Sequence, residues 1–237
     1  MDWNNFDAAL FDLDGVLTPT ALVHMRAWQE MFADYLSAHH PAQPPYSDRD
    51  YYDYVDGKPR YAGVQSFLES RGIEIPKGTP EDSSDELTIC GLGNRKNALF
   101  EEVLASEGVD AYPGSRQLVE ALADRGIALA VVSSSRNAPS VLEAAGLLEF
   151  FPTIVDGIVA AERHLAGKPA PDTFVYAAEL VGVRAARCVV VEDALSGVQA
   201  GRAGRFGLVV GVDRGAGAET LSENGADIVV DDLAELL

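Results

Sequence analysis

Two textures of hydrophobic patterning divide the chain. Between residues 20 and 107 apolar positions recur three and four apart, the spacing of helices that bury one face. Elsewhere, short runs of consecutive apolar residues alternate with helical segments. In the first region Met25, Trp28, Met31, Phe32, Tyr35 and Leu36 predict a helix over 20–36, ended by the proline-rich His39-His40-Pro41-Ala42-Gln43-Pro44-Pro45. Val64, Phe67 and Leu68 predict a second helix over 60–70, with Gly72 as its stop, and a third is predicted near 95–106. Residues 73–93, rich in turn formers and acids, read as irregular.

Outside that region, helices over 115–125, 139–145, 172–181 and 196–203 alternate with apolar strands over 127–132, 153–155, 188–191, 207–212 and 227–230. The run Ala8-Ala9-Leu10-Phe11 adds a strand near the N-terminus. Strands that are apolar throughout are buried on both faces, so the pattern predicts an α/β fold with a parallel sheet covered by helices. No convincing strand falls between 20 and 106. The expected organisation is therefore an α/β core, residues 1–19 and 108–237, with a helical cap of residues 20–107 inserted after the first strand.

In an open parallel sheet, ligands bind beyond the carboxyl ends of the strands. Here those ends carry chemistry. The first strand runs into Asp12-Leu13-Asp14-Gly15, the second into Ser133-Ser134-Ser135-Arg136-Asn137, and the fourth into Glu192-Asp193, while Lys168-Pro169 precedes a helix. Asp12 and Asp14, two apart on an extended chain, begin on the same side, and close carboxylates require a cation or a shared proton. Asp12, Asp14, Glu192 and Asp193 together form an oxygen-only ligand set, for which Mg²⁺ is the natural occupant. With that cation and Lys168 neutralising a phosphoryl group, Asp12 can attack phosphorus and form an aspartyl-phosphate. Asp14 can exchange the proton with the leaving and attacking oxygens, and Ser133 and the Ser134 N–H can bind the remaining phosphoryl oxygens.

Composition narrows the partners. The formal net charge of −19 on 237 residues argues against nucleic acid or an anionic membrane surface. A phosphorylated substrate must then be held by a local basic cluster or a metal. Cys90 and Cys188 are the only cysteines, too few for a disulfide framework, and no apolar run approaches the ~18 residues of a membrane span. The N-terminus lacks the basic and apolar regions of a signal peptide, so a reduced, cytoplasmic protein is expected, as a monomer in preference to an oligomer. Gly91-Leu92-Gly93 and Gly215-Ala216-Gly217 lack the third glycine of a dinucleotide fingerprint, and there is no Walker A or Gly-x-Ser-x-Gly sequence.

The set Asp12-Leu13-Asp14-Gly15, Ser133, Lys168-Pro169 and Glu192-Asp193 resembles the four motifs of the haloacid dehalogenase (HAD) superfamily of phosphotransferases, in order and across the whole chain. The resemblance implies a Rossmann-like core, with the helical insertion as that superfamily's small cap. Within it, the chain is similar to the β-phosphoglucomutase family. Val23-His24-Met25-Arg26-Ala27-Trp28 resembles the first cap helix of that family, where a histidine reaches toward the acid/base aspartate. Gly57-Lys58-Pro59-Arg60 lies where its cap carries a phosphate-binding arginine, and Asn94-Arg95-Lys96-Asn97 resembles its segment with a substrate-contacting lysine. Ser133 to Asn137 resembles its Ser-Ala-Ser-Lys-Asn, with arginine in place of lysine. The residues implied to bind substrate are Thr20, His24, Trp28, Arg60, Lys96, Ser134, Ser135, Arg136 and Asn137. Pro19 stands where the family often has aspartate, and 41–57 and 73–93 align poorly.

The expected activity is a mutase that interconverts β-glucose 1-phosphate and glucose 6-phosphate, its partner a small phosphorylated sugar. The alternative is a sugar-phosphate or small-metabolite phosphatase on the same scaffold. Dehalogenation, which needs no Mg²⁺, leaves Asp14 and Glu192-Asp193 unexplained.

Overall fold

The computed structural model describes residues 1–237 as two compact units: Met1–Thr20 with Val109–Leu237, and Ala21–Gly108.

In the first unit six strands form one parallel sheet: β1 (Ala8–Phe11), β2 (Ala128–Val132), β3 (Thr153–Val155), β4 (Cys188–Glu192), β5 (Leu208–Val212) and β6 (Ile228–Val230). Their order is β3-β2-β1-β4-β5-β6. The chain builds outward from β1 in one direction through β3 and then resumes beside β1 with β4, so the order reverses between β1 and β4. That reversal opens a crevice at the carboxyl ends of these two strands, the place where such sheets bind ligands. Register keeps those ends level: Phe11 pairs with both Val131 and Val191, and the Asp12 N–H donates to the Val191 carbonyl at 2.9 Å.

The strand side chains alternate between faces. Ala8, Leu10, Ala130, Val132 and Val190 pack against Phe174 and Ala177 of the helix Asp172–Leu180. Phe11 meets the ring of Phe151 edge-on, 5.9 Å between centroids. β1 is buried over its whole length, as its unbroken apolar sequence requires. Two short helices, Gly157–Glu162 and Ala218–Glu223, are additions to the elements the sequence pattern predicts.

The second unit is helical and holds no strand. Its principal helices are Thr20–His39, Arg60–Ser70 and Ile89–Glu107, around a core of Trp28, Phe32, Tyr35, Tyr46, Phe67 and Leu92. Phe32 stacks on Trp28 and Tyr46 and lies 4.2 Å from the Phe67 ring. The third helix begins six residues before the predicted Arg95, so residues 89–93 are not irregular. The Thr88 hydroxyl accepts from the Gly91 N–H and caps the helix. Gly91 and Gly93 serve close packing: a Cβ would lie 2.3 Å from the Glu86 carbonyl oxygen at Gly91 and 2.7 Å from the Tyr61 ring at Gly93. Within 41–57, which aligns poorly with the family, Asp48–Asp50 and the π-helical turn Tyr51–Val55 are ordered by Asp50, whose carboxylate accepts from Ser47 and from Arg71. No helix is long and apolar enough to cross a membrane.

Candidate active site

The centre of the site is the ammonium group of Lys168, buried at the carboxyl edge of the sheet. It has three N–H bonds and three acceptors. It donates to Asp12 Oδ1 at 2.5 Å, to Glu192 Oε1 at 2.6 Å and to the carbonyl of Val132 at 3.0 Å. The ends of β1, β2 and β4 thus converge on one cation. Glu192 is fixed at its other oxygen, where Oε2 accepts from the Ala194 N–H at 2.9 Å. A Cβ at Gly197, in the first turn of the helix Leu195–Ala203, would lie 1.8 Å from the Glu192 carboxylate, so this helix can pack there only with glycine. Sequence reading passed over Gly197. Its signal is a glycine inside a helix, which costs about 1 kcal/mol against alanine and so marks a close approach.

Burial pushes the Asp12 carboxyl well above the usual range; the neighbouring Lys168 charge works against that rise, and those of Glu192 and Asp14 add to it. Burial opposes the charge on Lys168 as well, but the carboxylates of Asp12 and Glu192 hold it above the ordinary lysine range. Oxygen atoms of Asp12, Glu192 and Asp193 lie within 4.8 Å of one another. One ammonium against three carboxylates leaves an excess of negative charge in a low-dielectric setting, which a bound cation relieves. Three hard oxygen donors suit a small divalent cation.

Asp14, two residues beyond Asp12, adds its charge to that of the cluster. Of the four expected metal ligands, the structure gathers Asp12, Glu192 and Asp193, while the Asp14 carboxylate accepts a short hydrogen bond from the Thr20 hydroxyl. With its own proton given to Asp14, Thr20 Oγ1 accepts from the Thr18 hydroxyl at 2.7 Å. Thr20, expected among the substrate contacts, is fully buried and donates to Asp14; Thr18 lies beside it, and sequence reading missed Thr18.

After β2, the Ser133 N–H donates to the Val155 carbonyl, and Ser133 Oγ accepts from the Ser135 N–H at 3.1 Å. Ser135 Oγ accepts from the Asn137 N–H at 3.2 Å. These serine turns fix a tight loop, and Ser133 keeps its own O–H as a donor. A Cβ at Gly157 would lie 2.7 Å from the Ser134 carbonyl oxygen, so the next loop also packs here through glycine. Arg136 is exposed, and Ser134, Ser135 and Asn137 are half-buried.

In the helical unit, three of the expected residues cluster. Lys96 Nζ and His24 Nδ1 meet in a short hydrogen bond. The Lys96 ammonium also lies 5.1 Å from the Trp28 ring centroid and 5.0 Å from that of Phe100, on which His24 stacks at 4.0 Å. Trp28 and Lys96 are buried, and His24 is half-buried. Trp28 is a member of this unit's hydrophobic core, in addition to its expected place among the substrate contacts. Arg60 lies apart from this cluster's contacts and donates to Asn97 Oδ1 at 2.5 Å.

Comparison with known proteins agrees with this arrangement. The haloacid dehalogenase-like hydrolase family matches residues 6–205. A β-phosphoglucomutase of Mycobacterium bovis is 51% identical over 97% of this chain and 91% of its own length. A β-phosphoglucomutase of Bacillus subtilis is 34% identical over 97% and 91% respectively. The crystal structure of a β-phosphoglucomutase from Clostridium difficile superposes with a TM-score of 0.78 at 25% identity, covering 98% of this chain and 93% of that one. The chain is an enzyme of the haloacid dehalogenase-like hydrolase family and belongs to its β-phosphoglucomutase group.

Proposed function

We propose that the enzyme interconverts β-glucose 1-phosphate and glucose 6-phosphate through an aspartyl-phosphate on Asp12, with Mg²⁺ as its cation. The observation that carries this reading is the placement of Asp12: a desolvated carboxylate at the end of the central strand, one oxygen on Lys168, beside Glu192 and Asp193. The identity to β-phosphoglucomutases, which extends over nearly the whole chain, supports the choice of substrate.

Asp12, Glu192 and Asp193 would hold the cation, which when bound supplies positive charge to the phosphoryl oxygens. The remaining steps belong to the chain's own residues. Asp12 begins as an acyl phosphate. The 6-hydroxyl of β-glucose 1-phosphate attacks that phosphorus while Asp14 takes the hydroxyl proton, and the bond from phosphorus to the Asp12 oxygen breaks. The sugar now carries two phosphates. After it turns over in the site, Asp12 attacks the 1-phosphate, the anomeric oxygen leaves, and Asp14 returns the proton to it. Glucose 6-phosphate departs and the acyl phosphate is restored. Ser133 and the Ser134 N–H donate to the transferring group throughout, and Lys168 favours the charged form of Asp12 against its burial and aims it.

A mutase holds two phosphates at once, whereas a phosphatase needs one phosphate site. We assign the second phosphate to Arg60, Ser135, Arg136 and Asn137, with His24 and Lys96 as further substrate ligands of the helical unit. The proposed setting is cytoplasmic and monomeric; two buried free cysteines suit a reducing compartment. The test is to incubate the enzyme with β-glucose 1,6-bisphosphate and Mg²⁺ and locate the phosphoryl group by mass spectrometry. A hydroxylamine-labile phosphate on Asp12, lost in Asp12→Asn, is expected; a phosphoenzyme at another residue would overturn the assignment.

A further inference from the structure

Arg214 follows β5 and takes no part in the chemistry above, yet it reaches the loop that carries both aspartates. Its Nε donates to the carbonyl of Gly15 at 2.8 Å, its Nη1 donates to the carbonyl of Asp231 at 2.8 Å, and its guanidinium lies 4.1 Å from the centroid of the Tyr112 ring. Three partners in three directions fix a planar group completely, a task that suits arginine and not lysine. Arg214 keeps this pose although its Nη2 is buried without a protein acceptor.

The consequence lies at Gly15. Glycine is the one residue of Asp12-Leu13-Asp14-Gly15 whose backbone can rotate widely, and it sits at φ 84°. Its N–H is held by the Thr18 carbonyl at 2.7 Å, and its carbonyl is held by Arg214. With both flanking peptides pinned, the turn keeps the space into which the Asp193 carboxylate fits, where a Cβ would stand 1.9 Å from Oδ2. Tyr112, beneath the guanidinium, is tied to the same turn by its N–H, which donates to the Leu17 carbonyl at 2.9 Å.

We propose that Arg214 is a positioning residue of the cation site: by clamping the Gly15 peptide it holds the loop from β1 so that Asp12 and Asp193 converge on one ion. The inference rests on the reading of Asp12, Glu192 and Asp193 as a cation site. Removing a group that orients metal ligands lowers affinity roughly 10–100-fold.

The test is Mn²⁺ binding to the full chain, followed by electron paramagnetic resonance, for wild type, Arg214→Lys, Arg214→Ala and Tyr112→Leu, with thermal unfolding in parallel. Arg187→Ala, which breaks only the exposed pair with Asp7, is the control. Arg214→Lys is expected to remain folded and to bind Mn²⁺ with a Kd raised at least about tenfold. Arg214→Ala should bind no better than Arg214→Lys. Tyr112→Leu, which leaves the arginine in place and removes the ring beneath it, should raise Kd about threefold, and Arg187→Ala should not change it. Folded Arg214 variants with wild-type Kd would overturn the inference, as would, if both arginine variants failed to fold, a wild-type Kd in Tyr112→Leu. A wild-type protein that binds no Mn²⁺ would instead overturn the cation site itself.

Discussion

Gly15 and Asp193 fit together as a missing side chain and the group that fills its place. The Asp193 carboxylate stands where a Cβ on Gly15 would begin, and the φ of 84° there is one that side chains disfavour. Gly15→Ala must therefore displace Asp193 and strain the backbone together. Strain of this kind costs about 1–3 kcal/mol, and a displacement near 1 Å at a reacting group lowers turnover by about 10². The variant is expected to fold with a lowered melting temperature and to lose at least that factor in kcat/KM. Wild-type kcat/KM in a folded Gly15→Ala would contradict the fit.

Lys168 neutralises two buried carboxylates at once. Lys168→Met leaves Asp12 and Glu192 facing each other without a counter-charge, and breaking a buried ion pair from one side costs about 3–5 kcal/mol. Calorimetry should show a large loss of stability, recovered in part by Lys168→Met combined with Glu192→Gln, and neither variant should transfer phosphoryl groups. Unchanged stability in the single variant would mean that the ammonium does not offset this charge.

How much of this was legible in the sequence depends on the kind of signal. The strands of the sheet are read directly because buried parallel strands are continuously apolar, as in Val189-Val190-Val191. The motif residues announce themselves by their place at strand ends, and Lys168 meets Asp12 and Glu192 as that placement implies. The start of the third helix was hidden by the turn formers and acids before it; Gly91 and Gly93 each admit a neighbour to that helix, a use that only the three-dimensional contacts show. Thr18 was obscured, and with it the contact from Thr20 to Asp14, because a pair of hydroxyls has no periodicity. The π-helical turn at Tyr51–Val55 is likewise held by the distant Arg71 through Asp50 and not by local pattern.

Thr20→Val tests whether the relay to Asp14 matters to proton transfer. The substitution keeps the buried shape and removes the O–H that Asp14 accepts. A hydrogen bond to a charged group contributes about 1.5–3 kcal/mol, equivalent to a fall in kcat of roughly 10–100-fold. KM should stay within a few-fold, because the hydroxyl is directed to Asp14 and is fully buried. A rise in KM with kcat preserved would make Thr20 a substrate ligand instead.

Asp50 gives the helical unit a defined acid limit. Burial works to raise its carboxyl, but hydrogen bonds from Ser47 and Arg71 outweigh that and hold it below the ordinary aspartate range. Because the folded value is depressed, the stabilisation is complete above the unfolded pKa of about 3.9 and is lost as pH falls through the folded one. Unfolding of wild type and Asp50→Asn should therefore differ most near neutral pH, with a gap that closes below about pH 4. A gap constant down to pH 2 would exclude this linkage.

The proposed mutase passes phosphoryl groups between positions of one sugar. The most direct measurement supplies purified enzyme with Mg²⁺, β-glucose 1-phosphate and a trace of β-glucose 1,6-bisphosphate, and follows glucose 6-phosphate and free phosphate together. Rapid formation of glucose 6-phosphate with little free phosphate is the predicted result. Release of free phosphate without glucose 6-phosphate would contradict the mutase and make the enzyme a phosphatase on the same core.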